Sequence, residues 1–188
     1  MVQPRAAEAS SLVAELFGTG SGRYRHMRGA AHTAQAVAPL LLSPDESDLV
    51  VAAAWLHDVG YAEPRTGFHP VDGAELLLRR GWPRRLAALV AHHSFAGLVA
   101  PGARAQHRLA FFPAEPGLVP DLLVYADMSV DPDGAPMLVA ERLADIARRH
   151  GDRTPTGRVH ERRAAAIVAA VERVDDALAR RYAPAATA

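Results

Sequence analysis

Leu49-Val50-Val51-Ala52-Ala53-Ala54-Trp55-Leu56-His57-Asp58 places an imidazole and a carboxylate at the end of an almost wholly apolar run. A helix that is apolar on every side belongs in the interior. An unpartnered carboxylate there costs several kcal/mol, so Asp58 requires a cation, hydrogen bonds or a proton. The rest of the chain decides which.

Working outward, the pattern is helical almost throughout. Ser43-Pro44-Asp45-Glu46 is a capping box with proline in the first turn, and it opens the helix that ends at His57. His69-Pro70 opens the next helix, which Gly81 closes. Trp82-Pro83 starts another, expected to run through His92-His93. Residues 119 to 129 form an apolar helix carrying Asp127. Asp133-Gly134 leads to a helix ending at Gly151, and a long Ala/Arg/Val helix spans about 157 to 181. A first small helix is joined to the rest by Gly18-Thr19-Gly20-Ser21-Gly22, which lacks the Gly-Lys-Ser/Thr of a phosphate loop. Strand-like alternation is missing, so the fold class is all-α. One domain over residues 1 to 188 is expected, with a metal-site core at about 23 to 130 and C-terminal helices at about 134 to 181.

Composition removes several alternatives. Apolar residues make up 49%, charged residues 22%, and the net charge is zero, which gives no basic field for a nucleic-acid polymer. There is no cysteine, so disulfides, thiolate zinc sites and a cysteine nucleophile are excluded. All 21 basic residues are arginine, which excludes Schiff-base and P-loop lysines. The longest apolar run is far short of the ~20 residues of a membrane span, and Met1-Val2-Gln3-Pro4-Arg5 leads into no signal-peptide core. A cytoplasmic location with no membrane partner is the expectation, and a homodimer is left open.

Helical phase sorts the nine histidines. His26 shares its stripe with Ala30, Thr33, Ala34, Val37 and Leu41 and points inward, whereas His32 lies off it. His93 is in phase with Leu86, Leu89 and Val90, and His92 is rotated from it by about 100°. For His69 an N-cap role beside Pro70 is the competing reading. Asp127 follows another buried segment, Leu122-Leu123-Val124-Tyr125-Ala126. Singly, each is more often a core histidine or a cap. Together they form a donor set of imidazoles and carboxylates that suits Fe, Mn, Zn, Co or Mg. One divalent ion takes His26, His57, Asp58 and Asp127. A second takes Asp58, His69 and either His93 or His92, with Asp58 as the bridge. Two such ions would lower the pKa of a shared water and clamp an in-line displacement at phosphorus.

These elements resemble the HD-domain superfamily of metal-dependent phosphohydrolases. Arg23-Tyr24-Arg25-His26-Met27-Arg28-Gly29-Ala30-Ala31 is similar to its opening helix, and Leu56-His57-Asp58-Val59-Gly60 to its defining doublet. His69-Pro70-Val71-Asp72-Gly73-Ala74 resembles the element of members that hold two metals, and His92-His93-Ser94 and Tyr125-Ala126-Asp127 the later ligand positions. The likeness covers about residues 23 to 130 and is nearest to small stand-alone bacterial HD proteins. It implies an HD-domain helical bundle that cleaves a phosphoester or phosphoanhydride of a nucleotide or dinucleotide, with Asp58 as the catalytic residue orienting the water. The "GYP" of the cyclic-di-GMP phosphodiesterase branch is missing after His93, and Glu63 is the nearest substitute for the nucleotidases' acid. The alternative within the superfamily is a mixed-valent di-iron oxygenase cleaving C–P or C–C bonds. A basic residue commonly follows the doublet in those enzymes, where Tyr61 stands here.

The expected partner is a small phosphorylated molecule, contacted by Arg23, Arg25, Arg28 and Arg65. The pairs Arg79-Arg80, Arg84-Arg85, Arg148-Arg149, Arg162-Arg163 and Arg180-Arg181 read as solvated surface. Phe111-Phe112 is expected to pack under the loop of residues 97 to 118, a candidate lid.

Overall fold

An all-apolar helix is stable only when neighbours cover every side of it. The computed structural model describes residues 6–183 and provides that cover; the N-terminal lead Met1 to Arg5 lies outside the described residues. Helix α3 (Pro44–Leu56) is buried at every position from Leu49 to Leu56. Around it pack α1 (Ala6–Phe17), α2 (Gly22–Leu41), α5 (Arg84–His92) and α8 (Leu118–Met128). Helix α4 (His69–Arg79) packs on α5 and on a 3-10 turn, Val59–Tyr61, that continues from the end of α3. Two short helices, α6 (Ala96–Val99) and α7 (Gln106–Leu109), break up the long loop. A smaller apolar cluster, including Met128, Leu143, Ile146 and Ile167, ties α8 to α9 (Val139–His150) and α11 (His160–Tyr182), with the single turn α10 (Pro155–Arg158) between the last two. The described residues contain no strand, only an isolated bridge between Val130 and Pro136. The fold is an all-α bundle, and none of its described helices is long and apolar enough to cross a membrane.

Local chemistry sets the helix ends. The Ser43 side chain accepts from the Glu46 backbone N–H and donates to the Glu46 carboxylate at 3.0 Å, so α3 starts where its capping residues require. Helix α4 ends in a Schellman turn: Trp82 N–H donates to Leu77 at 3.0 Å and Gly81, at φ 80°, donates to Leu78. The expected helix through His93 stops one residue earlier. His93 turns extended, with ψ 150°, and Ser94 and Phe95 follow at φ 49° and 57°. Two consecutive non-glycine residues at positive φ persist only where their surroundings hold them.

The loop expectation holds for one of its two phenylalanines. Phe112 is buried, but Phe111 is 70% exposed, and its backbone carbonyl accepts from the Arg84 guanidinium. Arg79, Arg80 and Arg85 form surface ion pairs with Glu63, Glu15 and Glu115. Glu63, the nearest substitute for the nucleotidases' acid, is thus held by Arg79.

Two glycine contacts fix the doublet's surroundings. A Cβ on Gly60 would lie 2.0 Å from the His69 carbonyl oxygen and 2.5 Å from the Gly73 nitrogen, so the turn after Asp58 crosses α4 backbone to backbone. A Cβ on Gly29 would lie 2.4 Å from the Gly134 carbonyl, which lets the loop after Val130 rest against α2. Gly60→Ala forces this crossing apart and is expected to cost about 3 kcal/mol or more. Thermal melting should show a fall of roughly 6–12 °C for a chain of this size.

Candidate metal centre

Four imidazoles are delivered from four places: α2 (His26), the end of α3 (His57), the start of α4 (His69) and the residue after α5 (His93). Three have Nδ1 on a backbone carbonyl: His26 on Asp131 at 2.8 Å, His57 on Ala54 at 2.8 Å and His93 on Val90 at 2.6 Å. A carbonyl only accepts, so each Nδ1 carries the proton and, in the neutral ring, each Nε2 is left with its lone pair. Those Nε2 atoms converge. His26 and His57 bring theirs to 3.3 Å, and His69 and His93 theirs to 3.2 Å. Two ring nitrogens at that distance repel unless one of them carries a proton or a cation lies between them. This donor set fits a divalent cation, and the carbonyl partners supply the orientation that metal-binding histidines need.

Asp58 divides its two oxygens between the pairs. Oδ2 lies 3.6 Å from His57 Nε2 and 4.0 Å from His26 Nε2, while Oδ1 lies 3.3 Å from His69 Nε2 and 3.8 Å from His93 Nε2. Two groups that could each hold a metal ion result, His26-His57-Asp58 and Asp58-His69-His93, each with its ligand atoms within 4.8 Å of one another. Asp127 faces the first, with Oδ1 at 3.2 Å from His26 and 3.6 Å from His57, and its other oxygen accepts from the Ser94 hydroxyl.

The electrostatics match this arrangement. Burial opposes ionisation of Asp58, but His57, a hydrogen bond from His69 and the Arg23 charge hold it well below the usual carboxylate range. Asp127 is likewise depressed against its burial, by His57 and the His26 hydrogen bond. Burial pushes His57 down and His93 down to about 3, so both rings are neutral donors. His26 is raised, because Asp127 and Asp58 outweigh its burial.

The centre opens into a cleft of about 320 Å³. Arg23 reaches it and ion-pairs with Asp58, its guanidinium 4.1 Å from the centroid of the Tyr61 ring, which stacks on His69 at 4.2 Å. The other three arginines expected there are elsewhere. Arg25 bonds the Gly20 carbonyl and Asp133, while Arg28 and Arg65 are exposed and do not line the cleft. His92 is a further correction. Its Nε2 donates to the Phe112 carbonyl at 2.8 Å, and it faces a separate, largely apolar cavity of about 550 Å³ behind His93. Because α5 ends at His92, the extended turn at His93 sends the two rings in different directions.

Arg142, Arg149 and Arg163 line the cleft too, and two of them had read as surface pairs. Phase alone locates them. Arg142, Ile146 and Arg149 share one stripe of α9, and Arg163 stands in line with Ile167, Ala170 and Val174 on α11. The loop of residues 97 to 118 contributes Val99 and Ala103 to the same cleft.

The protonation pattern sets the acid response of the metal-free protein. A histidine depressed in the folded state binds its proton more readily when unfolded, so His57 and His93 lower stability as pH falls below 6.5. His26, raised, offsets one of them. Asp58 and Asp127 add a second loss below pH 3.8. In chelator, Tm is expected to fall on acidification, and His93→Gln to remove on the order of 1–2 kcal/mol of that loss at pH 5. A Tm that rises between pH 6.5 and 5 contradicts the arrangement.

The family model for the HD domain matches residues 23–177, reaching beyond the doublet's neighbourhood to include α9 and most of α11. No curated protein and no solved structure matches the chain. The doublet of His57 and Asp58 thus stands where that match and the geometry coincide, and the chain belongs to the HD domain family, a superfamily of metal-dependent, hydrolase-type enzymes.

Proposed function

We propose that this protein is a metal-dependent phosphohydrolase acting on a phosphoester or phosphoanhydride, that of a nucleotide or dinucleotide. The observation that carries the reading is the division of Asp58 between two imidazole pairs at the floor of an arginine-lined cleft. His26, His57, Asp58 and Asp127 would hold one divalent ion, and Asp58, His69 and His93 a second. Manganese, iron and zinc suit this donor set best, with cobalt or magnesium also accommodated. When bound, such ions supply Lewis acidity that lowers the pKa of water and offsets charge developing at phosphorus.

The chain's own residues do the rest. Asp58 would be the shared ligand and the group that orients the water. Arg23 presents a guanidinium suited to bidentate contact with phosphoryl oxygens. Tyr61 packs against His69 and Arg23; burial and the Asp58 charge push its phenol up to about 12, so it stays a neutral hydrogen-bond donor at the mouth. Ser94 fixes the far oxygen of Asp127, which keeps Oδ1 turned to His26 and His57.

Asp58→Ala and His57→Ala are each expected to lose bound metal by elemental analysis and to lower kcat/KM by about 10³-fold or more. Full turnover in metal-depleted Asp58→Ala sinks the mechanism. Chelation is expected to abolish activity in a screen of phosphoesters and nucleotides, and manganese or zinc to restore it without oxygen. Turnover that instead requires dioxygen and two irons overturns the hydrolase reading. At a metal concentration of about 100 Kd, binding should raise stability by about 2.7 kcal/mol, visible as an increase in Tm.

A further inference from the structure

The cleft carries more positive charge than its carboxylates match. Its lining includes four guanidinium groups, Arg23, Arg142, Arg149 and Arg163, against Asp58 and Asp127. Arg23 is engaged by Asp58, and Arg149 by Asp145 at 2.6 Å. Arg142 is only 7% exposed, yet its Nε and Nη1 make no hydrogen bond among the described residues, and its nearest carboxylates are ion-pair contacts at 3.5 and 3.9 Å. Arg163 has no ion-pair partner among the described residues. Its Nε donates to the Ser94 carbonyl at 2.7 Å, and its terminal amino groups form no ion pair within the cleft. His150, on the same wall, is held below the usual imidazole value by burial and by the charges of Arg149 and Arg163.

A guanidinium withdrawn from water without matched acceptors is destabilising. Arg142 is such a group, and with the half-buried Arg163 and the exposed Arg149 beside it on the cleft wall it forms a site that an anion completes. The supply also exceeds what one phosphoryl group uses. A phosphoryl group held at the doublet already has Arg23 on α2, whereas Arg142 and Arg149 come from α9 and Arg163 from α11.

We propose that Arg142, Arg149 and Arg163 form an anion-binding wall that seats a second phosphoryl group, beyond the one that reacts, so that the substrate is a phosphoanhydride with at least two linked phosphates rather than a monoester. This deepens, and rests on, the phosphohydrolase reading. Arg163 is its specificity-determining residue, because no carboxylate competes for its terminal nitrogens.

The test is calorimetric titration of inorganic pyrophosphate and inorganic phosphate into the full-length, metal-free chain. The wild type should bind pyrophosphate about tenfold more tightly than phosphate, the gain of one to two charge-assisted hydrogen bonds. Arg163→Gln should remove that preference, and Arg163→Lys should restore part of it while lacking the planar fork. Because Arg163 also holds the Ser94 turn, Arg149→Gln, at an exposed position, provides a second variant and should weaken pyrophosphate binding about fivefold. Equal affinity for the two anions, or unchanged pyrophosphate binding in Arg163→Gln and Arg149→Gln, overturns the wall. A wall that binds pyrophosphate in a protein hydrolysing neither phosphoesters nor phosphoanhydrides removes only the phosphohydrolase reading. Hydrolysis with equal anion affinities removes only the wall.

Discussion

Asp58 is a nearly buried carboxylate with a different pair of imidazoles at each oxygen, and the bundle is organised so that this can be stable. Its ionised form is favoured because His57, His69 and Arg23 outweigh desolvation. Its position is set because α3, covered on all sides, delivers the doublet as one piece with the apolar core. Each neighbouring ring is in turn oriented by a backbone carbonyl or by stacking on Tyr61, so the cluster inherits its order from the main chain.

Much of this was legible in the sequence, for reasons that differ by residue. The doublet stood out because eight apolar residues lead straight into it. His26 was separable from His32 because both lie on one regular helix, where phase reports direction, and the structure buries the first and exposes the second. His92 and His93 were not separable. Their directions depend on an extended residue that ends α5, and the positive-φ turn that follows has no glycine to announce it.

The arginines teach the complementary lesson. Arg148-Arg149 and Arg162-Arg163 look alike as dipeptides, yet one member of each faces the cleft and its neighbour faces away. Adjacent residues on a helix point about 100° apart, so the two members of a charged pair need not share one environment. The same phase test that found His26 applies to Arg142 and Arg163, whose stripes continue into Ile146 and Ile167. Arg23, Arg25, Arg28 and Arg65 are candidates alike for their nearness to His26 and His69, and of these only Arg23 lines the cleft, because nearness in sequence does not fix direction.

The backbone crossing of Gly60 and Gly73 has a mechanical meaning. With no side chain between the turn after Asp58 and α4, the two segments have no layer of rotamers to compress or rearrange. The spacing of His57 and Asp58 on one segment from His69 on the other is therefore set by main-chain contact rather than by side-chain packing. Arg142, Arg149 and Arg163 ride on α9 and α11, outside that contact. The cleft thus has one wall fixed by direct backbone contact and another held through a layer of packed side chains, Leu143, Ile146 and Ile167.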